Sequence, residues 1–164
     1  MILKATQKVR DRIGLNVPDS EPPNPATRFL EEWYVNSIVL DRRQYLLFSE
    51  AKTLYSVVVP SKGITSRKKM EELAVDVLFD QFKHNTGLES RIFESLATSV
   101  VILKAQNRNI LSSMNQLTLA AQYDDEDPSQ SFDYLNDIIL GALKYDSPRD
   151  AFAKAIDSID QSQY

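Results

Sequence analysis

Three neighbouring cations, Arg67, Lys68 and Lys69, lie in the first turn of a helix predicted to begin at Ser66. Cations in the first turn of a helix oppose its dipole, so another group is expected to compensate for them. One compensation pairs Arg67 with Glu71 and Lys68 with Glu72 at four-residue spacing. The other is a bound anion, a phosphate or an acidic partner, which would make Arg67 and Lys68 an anion-binding site. Both possibilities stay open at this point.

Two further cations, Arg42 and Arg43, fall in a short polar break between runs of strand-forming residues. Arginines at a hairpin tip, with tyrosines nearby, can contact phosphate groups or nucleic acid. The plainer interpretation is that the two arginines are solvated and that Tyr34, Tyr45 and Tyr55 pack the sheet.

The usual signals of catalysis are missing from the sequence. It has no cysteine, which excludes thiolate nucleophiles, disulfides and cysteine metal sites, and its four glycines do not form a phosphate loop. The single histidine, His84, could be a general base, but its position also fits the last turn of a helix. The acidic run Asp124–Asp127 could bind magnesium or calcium, but before Pro128 it fits a solvated helix exit better. We therefore expect no catalytic residues, no bound metal and no cofactor.

Length and charge indicate one domain spanning residues 1–164. A chain of 164 residues is the usual size of a domain with a single core. The net charge of −4 weighs against a broad nucleic-acid surface, so nucleic acid is a possible but not a favoured partner. The longest apolar run, Val100 to Leu103, is too short to span a bilayer, and the first ten residues lack the apolar segment of a signal peptide. We expect a cytoplasmic protein that does not enter a membrane.

Five runs have the composition of strands, and they predict an α+β domain built on an antiparallel sheet of at least four strands with helices packed against it. The short breaks between the second, third and fourth runs favour an antiparallel meander. The fourth run has two largely apolar faces, which predicts a central strand, and the fifth has the composition of a fully buried strand. The runs are Ile2–Thr6, Tyr34–Leu40, Tyr45–Phe48, Thr53–Val59 and Thr98–Lys104.

Apolar residues at spacings of three and four predict the helices. The proline-rich stretch from Val17 to Thr27 is predicted to be a surface loop, and residues 132–143 are ambiguous between helix and two short strands. The predicted helices are Gln7–Ile13, Ser66–His84, Leu88–Leu96, one capped by Asn107 or Asn109 and ending at Asp124, and one from Ser147 to near the end of the chain.

Several segments together resemble a bacterial family catalogued as a domain of unknown function. They follow one another in the expected order over nearly the whole chain, and the asparagine-arginine to methionine-asparagine segment is distinctive. The segments are Met1–Val9, Trp33–Asn36 with Arg42 and Leu46–Phe48, Thr53–Val59, Asn107–Asn115, Leu135–Asn136 and Tyr145–Phe152.

The resemblance implies a compact α+β domain without an established activity or cofactor. The sequence departs from the family pattern at Tyr34, where a histidine or another small-ring polar residue is expected, and within Asp137–Leu140, where a proline is expected. A role that needs a histidine after Trp33 is therefore not expected here. The polar motif residues are left as binding candidates, although Asn107 could instead cap a helix: Asn36, Arg42, Asn107, Arg108, Ser112 and Asn115.

These observations favour a non-catalytic binding or protein-interaction module whose partner is another protein or a second copy of the chain. The alternative is a binder or processor of a phosphate-bearing ligand or nucleic acid, with arginines acting as anion clamps. That alternative requires the arginines to converge with Asn36 or Asn115. The binding candidates are Asn36, Arg42, Arg43, Arg108, Ser112 and Asn115, and the anion-binding candidates are Arg67 and Lys68.

Overall fold

The computed structural model describes residues 1–16, 28–84, 100–123 and 132–161. Five strands are present in this part of the chain: β1 (Ile2–Ala5), β2 (Glu32–Leu40), β3 (Arg43–Glu50), β4 (Ser56–Pro60) and β5 (Val101–Lys104). The helices are α1 (Gln7–Arg12), α2 (Arg67–Phe82), α3 (Arg108–Tyr123) and α4 (Pro148–Gln161), with two short 3-10 helices at Phe132–Asp137 and Gly141–Leu143. The α+β class is confirmed.

The five strands form one mixed sheet in the order β4-β3-β2-β1-β5. The meander β2-β3-β4 is antiparallel as predicted, but β1 lies between β2 and β5 and is parallel to both. The prediction of a purely antiparallel sheet is therefore wrong. Short breaks revealed the hairpins, whereas a parallel pair joins strands that are far apart in the sequence and leaves no local signal.

The β2–β3 hairpin turns at Asp41 and Arg42, which both have positive φ, 44° and 61°. A two-residue turn of this kind matches the twist of the strands that it connects. It places Arg42 at the tip, as predicted, and Arg43 at the first position of β3.

Two further strand predictions are corrected by the structure. The run expected to be central forms β4 at one edge of the sheet, and it begins only at Ser56 because Thr53 and Leu54 lie in a turn, Leu54 with φ 57°. The run expected to be fully buried forms β5 at the other edge, where Val101 is 41% exposed. Apolar residues on both faces show that helices cover both faces, not that the strand is central.

Helices pack on both faces of the sheet, so the domain has three layers. One core contains apolar residues of α1, α2 and α4, among them Val9, Met70 and Phe152, together with the single tryptophan, Trp33. The other core contains Met114 and Leu117 of α3 and residues of the 3-10 helices.

Asn107 and Ser147 cap helices as predicted, and Ser66 caps α2 in addition. The Ser66 hydroxyl accepts a hydrogen bond from the Lys69 backbone N–H, and the Asn107 side chain accepts from the N–H groups of Asn109 and Ile110. The backbone N–H of Asp150 donates to the Ser147 hydroxyl at the start of α4. The ambiguous segment 132–143 contains the two 3-10 helices and no strand.

Some predictions lie outside the described residues: the loop at 17–27, the helix at 88–96 and the structure of the acidic run 124–127. Within the described ranges, no helix is both long and apolar enough to cross a bilayer.

Candidate functional site

Four strands, β1, β2, β4 and β5, point in the same direction, so their carboxyl ends lie along one edge of the sheet. After β1 the chain enters α1 on the face of the first core, and after β5 it enters α3 on the opposite face. Adjacent parallel strands whose connections leave to opposite faces define the position where open α/β sheets bind ligands. The carboxyl ends of β1 and β5 are therefore the first place to look for a site.

Thr6, directly after β1, contacts Asn36, which lies in the middle of β2 beside the end of β1. The Thr6 hydroxyl donates to Asn36 Oδ1 over 2.9 Å, and the Thr6 backbone N–H donates to the Val35 carbonyl over 3.1 Å. With Oδ1 engaged by Thr6, the Asn36 side-chain NH2 group is left as a donor at this edge.

Arg10 lies one turn into α1 and is only 6% exposed. Its Nη2 donates to Gln7 Oε1 over 2.5 Å, which holds the guanidinium near the start of the helix, and Gln7 Nε2 in turn donates to Asp11 Oδ1 over 2.5 Å. The Arg10 Nε–H is buried and makes no hydrogen bond, and Arg10 forms no ion pair with any residue in the described ranges. A buried guanidinium without a counter-charge among the described residues is costly, which makes Arg10 a candidate for binding an anion.

The contacts of Arg12 show on which side of α1 Arg10 lies. Arg12 Nε donates to the Ile64 carbonyl over 2.8 Å and Nη2 donates to the Ser61 carbonyl over 2.7 Å, so this flank of α1 faces the loop after β4. Residues two apart on a helix point about 200° apart. Arg10 therefore lies on the other flank, toward β5.

The end of β5 brings in Asn107 and Arg108. The Ala105 backbone N–H donates to the Ala5 carbonyl over 3.0 Å, which keeps the chain beside β1 for one residue beyond β5. Asn107 then caps α3, and Arg108 is exposed in its first turn. We refer to Thr6, Gln7, Arg10, Asn36 and Arg108 as the β1-end cluster.

A second polar group lines a cleft of about 400 Å³ beside β4. Arg149 donates to Asp133 Oδ2 over 2.8 Å and to Asp137 Oδ1 over 2.6 Å, and Gln81 donates to the Tyr55 hydroxyl over 3.1 Å. Hydrogen bonding to Arg149 lowers the pKa of Asp137, and burial followed by the charge of Asp133 raises the pKa of Tyr55. Because these charges satisfy one another, the group holds α4 against the first 3-10 helix.

A metal centre is not assembled in the described part of the chain. No three histidine or carboxylate side chains there are grouped closely enough to hold an ion. The acidic run 124–127, whose carboxylates are of the type that magnesium or calcium binds but which is interpreted from the sequence as a solvated helix exit, lies outside those ranges.

A family model described as a domain of unknown function, DUF6933, matches residues 2–151. The chain belongs to the DUF6933 family. No curated protein and no solved structure matches it. The predicted resemblance to a family of unknown function is thus confirmed, and the description of that family names no activity.

Within this DUF6933 domain, three of the motif segments meet at the β1-end cluster. Thr6 and Gln7 belong to the first segment, Asn36 to the tryptophan segment and Arg108 to the asparagine-arginine segment. The structure thus brings Asn36 and Arg108 to the same edge, two of the residues predicted to bind.

The other predicted residues are distributed over several surfaces. Ser112 and Asn115 are exposed on α3, on the same side of the helix as Arg108, since they follow it by four and seven residues. Arg42 and Arg43 are exposed at the hairpin, and the described cleft beside β4 contains none of these residues.

The two anion-binding candidates, Arg67 and Lys68, pair with acidic residues of their own helix. Arg67 Nε lies 2.6 Å from Glu71 Oε1 and Lys68 Nζ lies 3.8 Å from Glu72 Oε1, which is the compensation within the helix that the sequence allowed.

Sequence reasoning missed Thr6, Gln7 and Arg10 as site residues of the DUF6933 chain. The transition from strand to helix at Thr6 was visible in the sequence, and such a transition often ends in a ligand site when the strand is parallel. The direction of β1 relative to its neighbours was the missing information.

Proposed function

We propose that the protein is a non-catalytic binding module that holds a phosphate-bearing ligand at the β1-end cluster. The observation on which this rests is the buried Arg10 guanidinium, whose Nε–H has no acceptor among the described residues. A phosphate oxygen would supply both the missing acceptor and the counter-charge.

The neighbours of Arg10 suit an oxyanion. The side-chain NH2 group of Asn36, beside the end of β1, and the guanidinium of Arg108, in the first turn after β5, are further donors at this edge of the sheet. Gln7 holds the guanidinium from one side and is itself held by Asp11, which reduces the entropy that a ligand must remove on binding.

A purely binding role fits the position of the single histidine. α2 starts after the carboxyl end of β4 and ends with Phe82 packed on Trp33, at the amino end of β2. His84 follows that end of α2, so it lies at the edge of the sheet opposite Arg10 and cannot exchange a proton with a ligand there.

Thermal-shift measurements with inorganic phosphate and with a nucleoside monophosphate test this proposal. A ligand that binds only the folded state raises the melting temperature, by an amount that grows with its concentration above Kd. We expect a rise for the wild type and none for Arg10→Gln. Arg28→Gln is the matched control, because Arg28 is an exposed arginine at the opposite edge, within 3.9 Å of Glu31.

The melting temperature without ligand separates binding from a structural role. If Arg10 serves a ligand, Arg10→Gln relieves an uncompensated buried charge and does not lower the melting temperature of the ligand-free protein. Equal shifts in the wild type and in Arg10→Gln, or no shift with either phosphate compound, would show the proposal to be wrong.

The remaining predictions on partners and location are unchanged. Association with another protein or with a second copy, and a cytoplasmic location, stay predictions. Light scattering over a range of concentrations measures self-association directly.

A further inference from the structure

The cleft beside β4 lies at the outer edge of the sheet, and no residue of β3 lines it. Its volume of about 400 Å³ suits a small molecule. The walls come from β4, α2, the first 3-10 helix and α4, so the cleft is formed where four elements meet. Among the residues that line it are Val58, Gln81, Phe132, Asp133 and Arg149.

Val58 directs its backbone N–H and C=O groups into this cleft. Glu50 N donates to the Tyr55 carbonyl over 2.9 Å, and Ser61 N donates to the Gln44 carbonyl over 3.1 Å, so Tyr55 and Ser61 face β3. In an antiparallel pair only every second residue faces the partner strand. Val58 lies three residues from each of them and therefore faces the outer edge, where it lines the cleft.

Among the described residues, Val58 offers the only open backbone pair on this edge of β4. The two other outward residues are Ser56, whose N–H and C=O are both bound by the Asn136 side chain, and Pro60, which has no N–H. The outward groups of Val58 make no hydrogen bond to any residue in the described ranges. A peptide added as a strand would find a single open residue here, so the edge suits a small molecule better than a peptide.

Asn136 shows which chemical group such a backbone pair selects. Its Oδ1 accepts from the Ser56 N–H over 2.7 Å, and its Nδ2 donates to the Ser56 carbonyl over 3.0 Å. A primary carboxamide fits because its oxygen and one N–H lie on the same side of a plane, whereas those of a trans peptide bond lie on opposite sides. An ionised carboxylate has acceptors alone and leaves the backbone carbonyl without a donor.

The charges of the cleft favour a neutral ligand. Asp133 and Asp137 together outnumber Arg149, whose Nε and Nη2 groups are both engaged with them. An added anion would therefore meet a net negative charge. Phe132, whose ring packs edge-to-face on Tyr45 with the centroids 5.5 Å apart, gives the cleft an apolar wall for the body of the ligand.

We propose that the cleft binds a small neutral molecule through a primary carboxamide, which pairs with the backbone N–H and C=O of Val58 as Asn136 pairs with Ser56. The site lies at the edge strand β4, and β3 and β2 separate it from β1 and the β1-end cluster. Because it takes a neutral ligand through backbone hydrogen bonds, it does not depend on phosphate binding at Arg10.

Amide NMR spectra of the isotope-labelled protein, titrated with benzamide, N,N-dimethylbenzamide or benzoate, test this proposal. The three probes share a ring, but the dimethyl compound lacks the donor, and benzoate is an anion without a donor. We expect benzamide to shift the amide proton of Val58 more than that of Ser56, which Asn136 already holds. The Kd of benzamide should be about tenfold lower than that of either other probe, which is the effect of one hydrogen bond.

Val58→Pro removes the N–H donor and keeps the carbonyl. Proline is tolerated in an edge strand where the N–H points outward. We expect the affinity for benzamide to fall about tenfold in this variant. Val58→Ala is the matched control, because it keeps both backbone groups, and it should retain the wild-type affinity. The comparison of the three probes on the wild type decides the proposal even if Val58→Pro does not fold.

Several results would overturn the proposal. They are equal affinities for benzamide and its dimethyl derivative, tighter binding of benzoate, shifts that are largest outside the cleft, and no binding of any probe. None of these results bears on phosphate binding, which the thermal shifts with Arg10→Gln decide separately. Arg10→Gln should bind benzamide as the wild type does, since Arg10 does not line the cleft.

Discussion

Glu50 is a carboxylate with no exposed surface that organises the amino end of β2 and the turn before β4. It accepts hydrogen bonds from the backbone N–H groups of Leu30, Lys52 and Thr53 and from the Thr53 hydroxyl, over 2.7 to 3.2 Å. Leu30 and Leu54, whose backbone N–H groups both donate to Glu50, have positive φ, 71° and 57°. This conformation is costly for a leucine. The buried acceptor thus compensates for a strained backbone.

Burial raises the pKa of Glu50 above its ordinary value, and the hydrogen bonds oppose this only in part. The carboxyl group of Glu50 therefore binds its proton more tightly in the folded protein than in the unfolded chain. Its contribution to the free energy of unfolding is greatest at low pH, where it is protonated in both states. That contribution falls as the pH rises through the pKa of the folded state. We expect the wild type to be more stable than Glu50→Gln, because the new amide NH2 faces N–H donors, and we expect this advantage to shrink as the pH rises above the ordinary pKa of a glutamate.

Urea unfolding at several pH values measures this advantage. Glu72→Gln, at an exposed glutamate of α2, is the control and should show a small difference from the wild type at every pH. An advantage over Glu50→Gln that grows with pH would contradict the raised pKa.

At the scale of the elements, the outer edge of β4 is protected by a side chain and a proline. In an antiparallel pair, every second residue directs its backbone N–H and C=O toward the partner strand. The hydrogen bonds from Glu50 N to the Tyr55 carbonyl and from Ser61 N to the Gln44 carbonyl show which residues these are. Ser56 and Val58 are the alternate residues, so their backbone groups point away from β3. Asn136 covers Ser56: its Oδ1 accepts from the Ser56 N–H over 2.7 Å and its Nδ2 donates to the Ser56 carbonyl over 3.0 Å. Pro60 has no N–H, so little of this edge can pair with another strand.

Asn136→Ala should destabilise the fold by about 2 kcal/mol, because it leaves a buried N–H and a buried C=O of Ser56 without partners. Asp137→Asn, one residue along the same 3-10 helix, changes an exposed ion pair with Arg149 and should destabilise the fold much less. Chemical denaturation of both variants measures the two effects. Equal losses would mean that Asn136 does not act through the edge of the sheet.

At the scale of the molecule, the two cores lie on opposite faces of one sheet. Trp33 reports on the first core, and Met114 of α3, which has no exposed surface, belongs to the second. The same strands support both, so we expect them to unfold together as one domain.

Met114→Ala tests this expectation and the prediction of a single domain. Removing a fully buried methionine should cost about 2–5 kcal/mol. If the cores are cooperative, the unfolding transition followed by Trp33 fluorescence shifts as far as the transition followed by far-UV circular dichroism. A fluorescence transition that stays in place while the circular dichroism changes would show that the two faces unfold separately.

The helices and the hairpins were predictable because their signals are local. The spacing of Met70, Ala74 and Val77 indicates α2, and the serine and asparagine caps follow from the chemistry of backbone N–H groups within three residues. The short break at Asp41 and Arg42 indicates the turn between β2 and β3 in the same way. Each of these features depends on residues that are neighbours in the chain.

The order of the strands and the β1-end cluster depend on residues that are far apart in the chain. Nothing in Ile2–Ala5 shows that its partners are Glu32–Val35 and Val101–Lys104, since the pairing is decided by which apolar faces the helices cover. Arg10 resembles any surface arginine of a short helix until the fold buries it beside the ends of the parallel strands. Local composition thus determined the elements and their caps, and packing alone decided which strand lies at the edge and which cation is buried.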